Sequence, residues 1–175
     1  MGLNQPNLVY LIDFGLSKEF RDPNTCRHIP YKNGLGFTGS ALFASINSHL
    51  GLELGRRDDL ESLVYILFYF LWGSLPWQGL GHKGGAIWES KEGITTHDSF
   101  LGLPVELCMF FEHSRSLPFN GKPNYNHFCN LFNNLLLHEG FQSDTVFDWD
   151  VTGNQHGTFE AVPQHETPDP GCRTG

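Results

Sequence analysis

The spacing of apolar positions changes several times along this chain, and each change marks an element. Asn7 to Ile12 (NLVYLI) is a short apolar run between Pro6 and Asp13, which predicts a strand. From Asp13 to Leu42 no period holds. This stretch carries Asp22-Pro23-Asn24, Pro30 and Gly34, Gly36 and Gly39, so a long irregular loop is expected.

Leu60 to Trp72 (LESLVYILFYFLW) is apolar on nearly every face, which predicts a helix wrapped by other elements. Asp58 is placed to cap it, with Glu61 three residues on completing a capping box. Gly73 suits its C-terminal end, and Pro76 prevents continuation. Gly79 to Gly102 is Gly-rich and weakly periodic, with a short helix expected over Ala86 to Lys91. Pro104 to Arg115 predicts a helix with Pro in its first turn and Leu107, Phe110 and Phe111 on one side. Tyr125 to His138 sets Phe128, Leu131, Phe132, Leu135 and Leu136 at helical spacing, and Gly140 stops it. Val151 to Gly175 is polar and rich in Gly, Pro, Thr and His, so it is expected to be a disordered tail. No internal repeat is visible.

Composition narrows the classes. Of 175 residues, 39% are hydrophobic and 15 are Phe, enough bulk for a globular core. The formal charge of −8 argues against nucleic acid and anionic membranes as partners. The apolar run Leu63 to Trp72 is about half of the roughly 20 residues a spanning helix needs. The N-terminal stretch has neither a basic region nor a long apolar core, so no secretory signal is expected, and Pro6 breaks the myristoylation pattern. Cys26, Cys108, Cys129 and Cys172 form no CxxC pair, which favours a reducing intracellular setting. Cys108 and Cys129 are expected in the core. The nine histidines show no HxxxH pair, and four convergent ligands for structural zinc are not apparent.

The candidate chemistry begins at Asp13-Phe14-Gly15, directly after the apolar run. Phosphoryl transfer needs Mg²⁺ bridging nucleotide phosphates, and a hard cation wants carboxylate oxygens. A strand would deliver Asp13 rigidly, and Gly15 would permit the turn that follows. Alone, the tripeptide is weak evidence, and Asp13 would pass for a residue that merely ends a strand. Its context is stronger: NLVYLIDFGLSKEFRDPNT, HIPY, TGSALFASINSHLG, RRDDLESL, GSLPWQGL and KPNYNHFCNLFNNL occur in that order. In these blocks the chain resembles the casein kinase I family of serine/threonine protein kinases over roughly residues 1 to 150. Ser45-Ile46-Asn47 stands where most kinases carry Ala-Pro-Glu, as in that family.

The resemblance implies a mainly α kinase C-lobe with a short β segment at its N-terminus, spanning 1–150, followed by the tail at 151–175. It implies Asp13 as the Mg-ATP ligand and Gly15 as its structural companion. Thr38 matches the threonine that supports the catalytic aspartate. Asp59 matches the aspartate that opens the central helix and holds the catalytic loop, a place the helix dipole also favours. Arg115 matches a structural arginine of the late helices.

The chain also departs from the family. Leu42 replaces an Arg, and Leu35 a Lys, in a site that in the family binds the phosphate of pre-phosphorylated substrates; Leu cannot pair a phosphate. Val64 replaces a Gly on the central helix, and the basic stretch after GSLPWQGL is reduced to GHKGGAIWES. The family's HRD loop lies just before the Met-Gly matching Met1-Gly2, so the catalytic Asp and the Asn for a second Mg²⁺ are expected upstream of this chain. The N-lobe has no counterpart in it. These 175 residues are therefore expected to bind no Mg-ATP and to transfer no phosphate unaided. The competing readings are part of a Ser/Thr kinase, a degenerate pseudokinase that binds proteins, or a remnant that does not fold. Partners are expected to be protein substrates or protein ligands, in cytoplasm or nucleus.

Overall fold

The computed structural model describes residues 10–80, 85–94 and 102–141. The chain divides into two compact units, Met1–Gly15 with Gln142–Gly175, and Leu16–Phe141. The tail expected at 151–175 lies outside the described residues, as do residues 7–9 of the expected strand.

In the first unit, residues 10–13 have no regular structure. This corrects the expected strand over residues 10–12. Leu11 is 82% exposed and Ile12 81%, and no neighbouring strand offers them a ladder among the described residues. An apolar run becomes a strand only where another backbone edge takes its N–H and C=O groups. A single 3-10 turn follows at Phe14–Leu16.

The second unit is mainly helical. Its elements are α1 (Ile46–His49), α2 (Arg56–Trp72), α3 (Ala86–Glu92), α4 (Val105–Ser116) and α5 (Tyr125–His138). The loop before α1 is irregular, as expected, apart from one antiparallel bridge between Arg21 and His28. Asp22 organises that hairpin-like turn, its Oδ1 accepting from the N–H groups of Asn24 and Thr25 at 2.9 and 2.7 Å. These bonds hold the Asp22 carboxyl below its ordinary value, the Thr25 backbone contributing most.

α2 begins earlier than its apolar run. Its N-cap is Gly55, and Asp58 lies inside the first turn, accepting the Gly55 N–H at 2.7 Å. Only this half of a capping box forms, since glycine has no side chain to return the bond, and Glu61 is engaged elsewhere. At the other end Gly73 adopts φ 74° and its N–H reaches the Tyr69 carbonyl at 2.9 Å, the left-handed cap that glycine favours.

The core lies between α2, α4 and the loop after α2. Val64, Tyr65 and Phe68 of α2 meet Phe110 and Phe111 of α4, with Leu75 and Trp77 from the loop. Phe128 of α5 packs edge-on against Phe110, ring centroids 4.7 Å apart. α2 is not wrapped on every side, however. Phe70 is 73% exposed, and Leu63 and Leu71 are exposed with it. A run apolar all round has no period to tell which face will be covered. α5 matches its expected extent, with Asn124 accepting from the His127 N–H at 3.1 Å as its cap. Its buried side is Phe128, with Leu131, Phe132, Leu135 and Leu136 half-buried. Cys129, expected in the core, is exposed, because it points away from the Phe128 face; Cys108 is half-buried against the core.

Candidate functional site

Asp13 and Gly15 belong to the first unit and stand by themselves. Asp13 is exposed and has φ 62°, a left-handed conformation uncommon for a residue with a Cβ. Its Oδ1 lies 3.4 Å from the Gly15 N–H, a long local bond that leaves the carboxylate accessible. One hard oxygen donor suits Mg²⁺, but one carboxylate is not a site. Among the described residues no three His, Cys, Asp or Glu side chains converge.

In the second unit, the Ser45-Ile46-Asn47 block is bonded to the start of α2. The Ser45 hydroxyl and the Asn47 amide both donate to Oδ1 of Asp58, each at 2.8 Å. The Ile46 N–H donates to Oε1 of Glu61 at 3.1 Å, and the Tyr65 hydroxyl donates to the same oxygen at 2.5 Å. Ser45 also caps α1, its Oγ accepting from the Ser48 N–H at 3.2 Å. Burial pushes the Glu61 carboxyl above its ordinary value, while the bonds from Tyr65 and Ile46 oppose the rise. Burial likewise pushes the Tyr65 hydroxyl far up, so it remains a donor.

A second cluster forms around Lys91 of α3, which has no exposed surface. Its Nζ donates to the carbonyls of Ala41 and Ala44 at 2.9 and 2.6 Å and lies 3.1 Å from Nε2 of His49. It also lies over the rings of Tyr65 and Trp77, 4.8 and 5.2 Å from their centroids. Burial lowers its pKa to about 8, with Glu61 acting the other way.

Thr38 and Leu35 share a cavity of about 190 Å³ with Leu16, Lys18, Ser48 and Leu54 on its walls. Thr38 is held by exchange with Ser48, whose Oγ accepts the Thr38 N–H at 3.2 Å and donates to its carbonyl at 2.6 Å. Lys18 pairs with Glu53 beside this cavity. Leu42 is elsewhere. Its side chain packs against the core, and its carbonyl accepts from the Trp77 indole at 2.7 Å. Leu35 and Leu42 thus serve different surroundings, a lined cavity and a core edge.

Asp59 is exposed, and its carboxylate has no hydrogen-bond partner among the described residues. Partial desolvation at the helix start and the neighbouring Asp58 raise its pKa. Arg115 lies over the Phe111 ring and donates to the Lys91 carbonyl at 3.3 Å. Val64 is wholly buried in the core.

Gly34-Leu35-Gly36-Phe37-Thr38-Gly39 has the spacing GxGxxG, yet it neither follows a strand nor opens a helix. The N–H groups of Leu35 and Thr38 are already taken by Gly51 and Ser48. This turn does not offer a phosphate the free amides that such a loop needs.

Reading the sequence missed two functional-looking residues, Lys91 and Glu61. Lys91 had a signal: it lies four residues after Ile87, and both share the buried side of α3. Glu61 was read as half of a local cap, whereas its partner Ile46 is fifteen residues away. No known protein-family model matches the chain.

Proposed function

We propose that this chain is the C-terminal part of a casein kinase I-like serine/threonine kinase, which moves the terminal phosphoryl group of ATP to a protein hydroxyl. The observation that supports this most is the anchoring of Ser45-Ile46-Asn47 on Asp58 and Glu61 of α2. A block that closes a substrate-facing loop has to be fixed to a rigid element, and α2 is the longest helix among the described residues. In this reading Asp13 contributes a carboxylate oxygen to Mg²⁺, Asp59 waits for the backbone of a catalytic loop, and Thr38 lies on the substrate side. Mg-ATP supplies the phosphoryl group when bound.

The 175 residues contain no HRD sequence, so proton acceptance and nucleotide cradling require residues outside them. Incubated with Mg-ATP and casein or an acidic peptide, this stretch alone is expected to transfer no phosphate. Joined to a casein kinase I N-lobe and catalytic loop, it is expected to do so, and Asp13→Ala abolishes the transfer. Transfer that survives Asp13→Ala overturns the assignment of Asp13.

A second reading, a degenerate pseudokinase that binds proteins, is favoured by two observations. Leu42 is committed to packing against the core, and Leu63, Phe70 and Leu71 leave apolar surface on α2 exposed. A complemented chain that folds, binds no Mg-ATP and transfers nothing supports this second reading.

A further inference from the structure

The cluster around Lys91 has a chemical asymmetry. An ammonium has three protons and no lone pair, so it can only donate. Two of its protons go to the carbonyls of Ala41 and Ala44. The third faces Nε2 of His49 at 3.1 Å, and that nitrogen can accept only while it carries no proton. The bond therefore requires neutral His49 in the Nδ1–H tautomer. A proton on Nε2 would place a second cation where the acceptor was, beside an ammonium with no solvent to screen it.

We propose that Lys91 and His49 form an acid-sensitive latch, which holds residues 41–49 against α3 while His49 is neutral and releases them when His49 takes a proton.

The charged groups around the pair favour this outcome. From α2, Glu61 and Tyr65 face Lys91, and the Glu61 oxygen is occupied by the Ile46 N–H and the Tyr65 hydroxyl. Asp58, at the start of α2, is occupied by Ser45, Asn47 and Gly55. From α4, Arg115 adds positive charge beside the Lys91 backbone. On α3 itself, Glu89 and Glu92 are exposed. From the loop, the Phe37 ring lies 5.0 Å from the His49 ring and offers no charge. No free carboxylate among these is placed to neutralise an imidazolium.

Burial and then the Lys91 charge hold His49 below the ordinary histidine value, with the Ala41 carbonyl acting in the opposite direction. A depressed folded-state value means that the unfolded state takes up the proton first. The latch therefore weakens as pH falls below about 6.5 toward the folded value. Lys91, lowered only to about 8, stays charged throughout that window. Nothing in this inference depends on the kinase reading.

The test is amide exchange across residues 41–50, expressed as protection factors, at about pH 7.5 and about pH 5.5. His49→Gln keeps an acceptor that does not titrate, and His49 is only half-buried, so this variant is expected to fold. Protection should fall at the lower pH in the wild-type chain and hold in His49→Gln. NMR titration of the His49 ring should give a value below ordinary histidine, moving up in Lys91→Met. An equal loss of protection in His49→Gln, or a His49 titration at or above the ordinary value in the wild-type chain, overturns the latch. The ring titration of the wild-type chain decides the matter even if Lys91→Met does not fold.

Discussion

The Ser45 hydroxyl donates to Oδ1 of Asp58 at 2.8 Å, across thirteen residues of sequence, and both side chains are buried. The same carboxylate also receives the Asn47 amide and the Gly55 N–H. It thereby ties the turn before α1 to the first turn of α2. Arg57 Nε comes within 3.7 Å of its other oxygen, too far for a hydrogen bond, and the Arg57 guanidinium instead donates to the Leu117 carbonyl at 3.1 Å.

Asp58→Ala leaves three donors without their acceptor, one of them the buried Ser45 hydroxyl. Hydrogen bonds to a charged group contribute about 1.5–3 kcal/mol each and do not add fully, so a loss of about 3 kcal/mol is expected. Asp58→Asn, which keeps one acceptor oxygen, should lose less. Urea unfolding followed by tryptophan fluorescence measures both, and equal midpoints for Asp58→Ala and the wild-type chain would contradict the network.

Gly51 is required for two reasons. Its φ is 66°, and a Cβ there would lie 2.4 Å from the carbonyl oxygen of Leu35. That carbonyl belongs to a residue whose own N–H bonds to Gly51, so it cannot move away without breaking the pairing. Gly51→Ala is expected to cost about 2 kcal/mol or more. Gly36→Ala, with open space around the added methyl, should be nearly neutral and serves as the control.

Lys91 makes stability rise at alkaline pH. Its folded value of about 8 is below the ordinary 10.5, so between these values the unfolded chain binds more protons. Stability contributed by this group is therefore lowest below pH 8 and recovers as pH approaches 10.5, by on the order of 3 kcal/mol. Thermal or urea unfolding across that window should show the rise in the wild-type chain and its loss in Lys91→Met. Parallel curves would indicate that Lys91 is not held in a depressed state.

The cysteines of α4 and α5 should differ in reactivity. Burial raises the Cys108 thiol, and its Sγ lies 3.8 Å from the Pro104 carbonyl, while Cys129 is exposed. Iodoacetamide at neutral pH should alkylate Cys129 first, as read by peptide mapping. Faster labelling of Cys108 would mean that α4 does not pack as described.

Leu42→Arg separates packing from chemistry. Leu42 lies against the core through a hydrophobic side chain, so Arg there is expected to cost about 1–3 kcal/mol before any phosphate is offered. If the kinase reading holds, the complemented chain with Leu42→Arg should gain activity toward pre-phosphorylated peptides relative to unphosphorylated ones. Unchanged selectivity would remove the anion-site interpretation of this position.

Local pattern was enough for the helices. The extents of α4 and α5 and the C-terminal end of α2 follow from periodic Leu and Phe positions and from end signals such as Gly73 and Gly140, all decided within a turn or two of backbone, whereas α2 starts ahead of its apolar run. Local pattern also misled where the answer lay at a distance. Ile12 has the composition of a strand but no edge among the described residues to pair with, and Phe70 is as apolar as Phe68 but faces outward. Glu61 looked like part of a helix cap, and its oxygen is spent on Ile46 and Tyr65.

What the sequence determined by itself is therefore a mainly helical chain, with most of its helix ends, and a long irregular stretch before them. Tertiary structure alone decided that Asp58 gathers three donors, that Lys91 is sealed beneath residues 41–49, and that Leu35 and Leu42 go to different places. The reason is physical. Helix propensity and capping act over three or four residues, whereas the Lys91 ammonium meets carbonyls 47 and 50 residues away, and only chain packing brings such groups together.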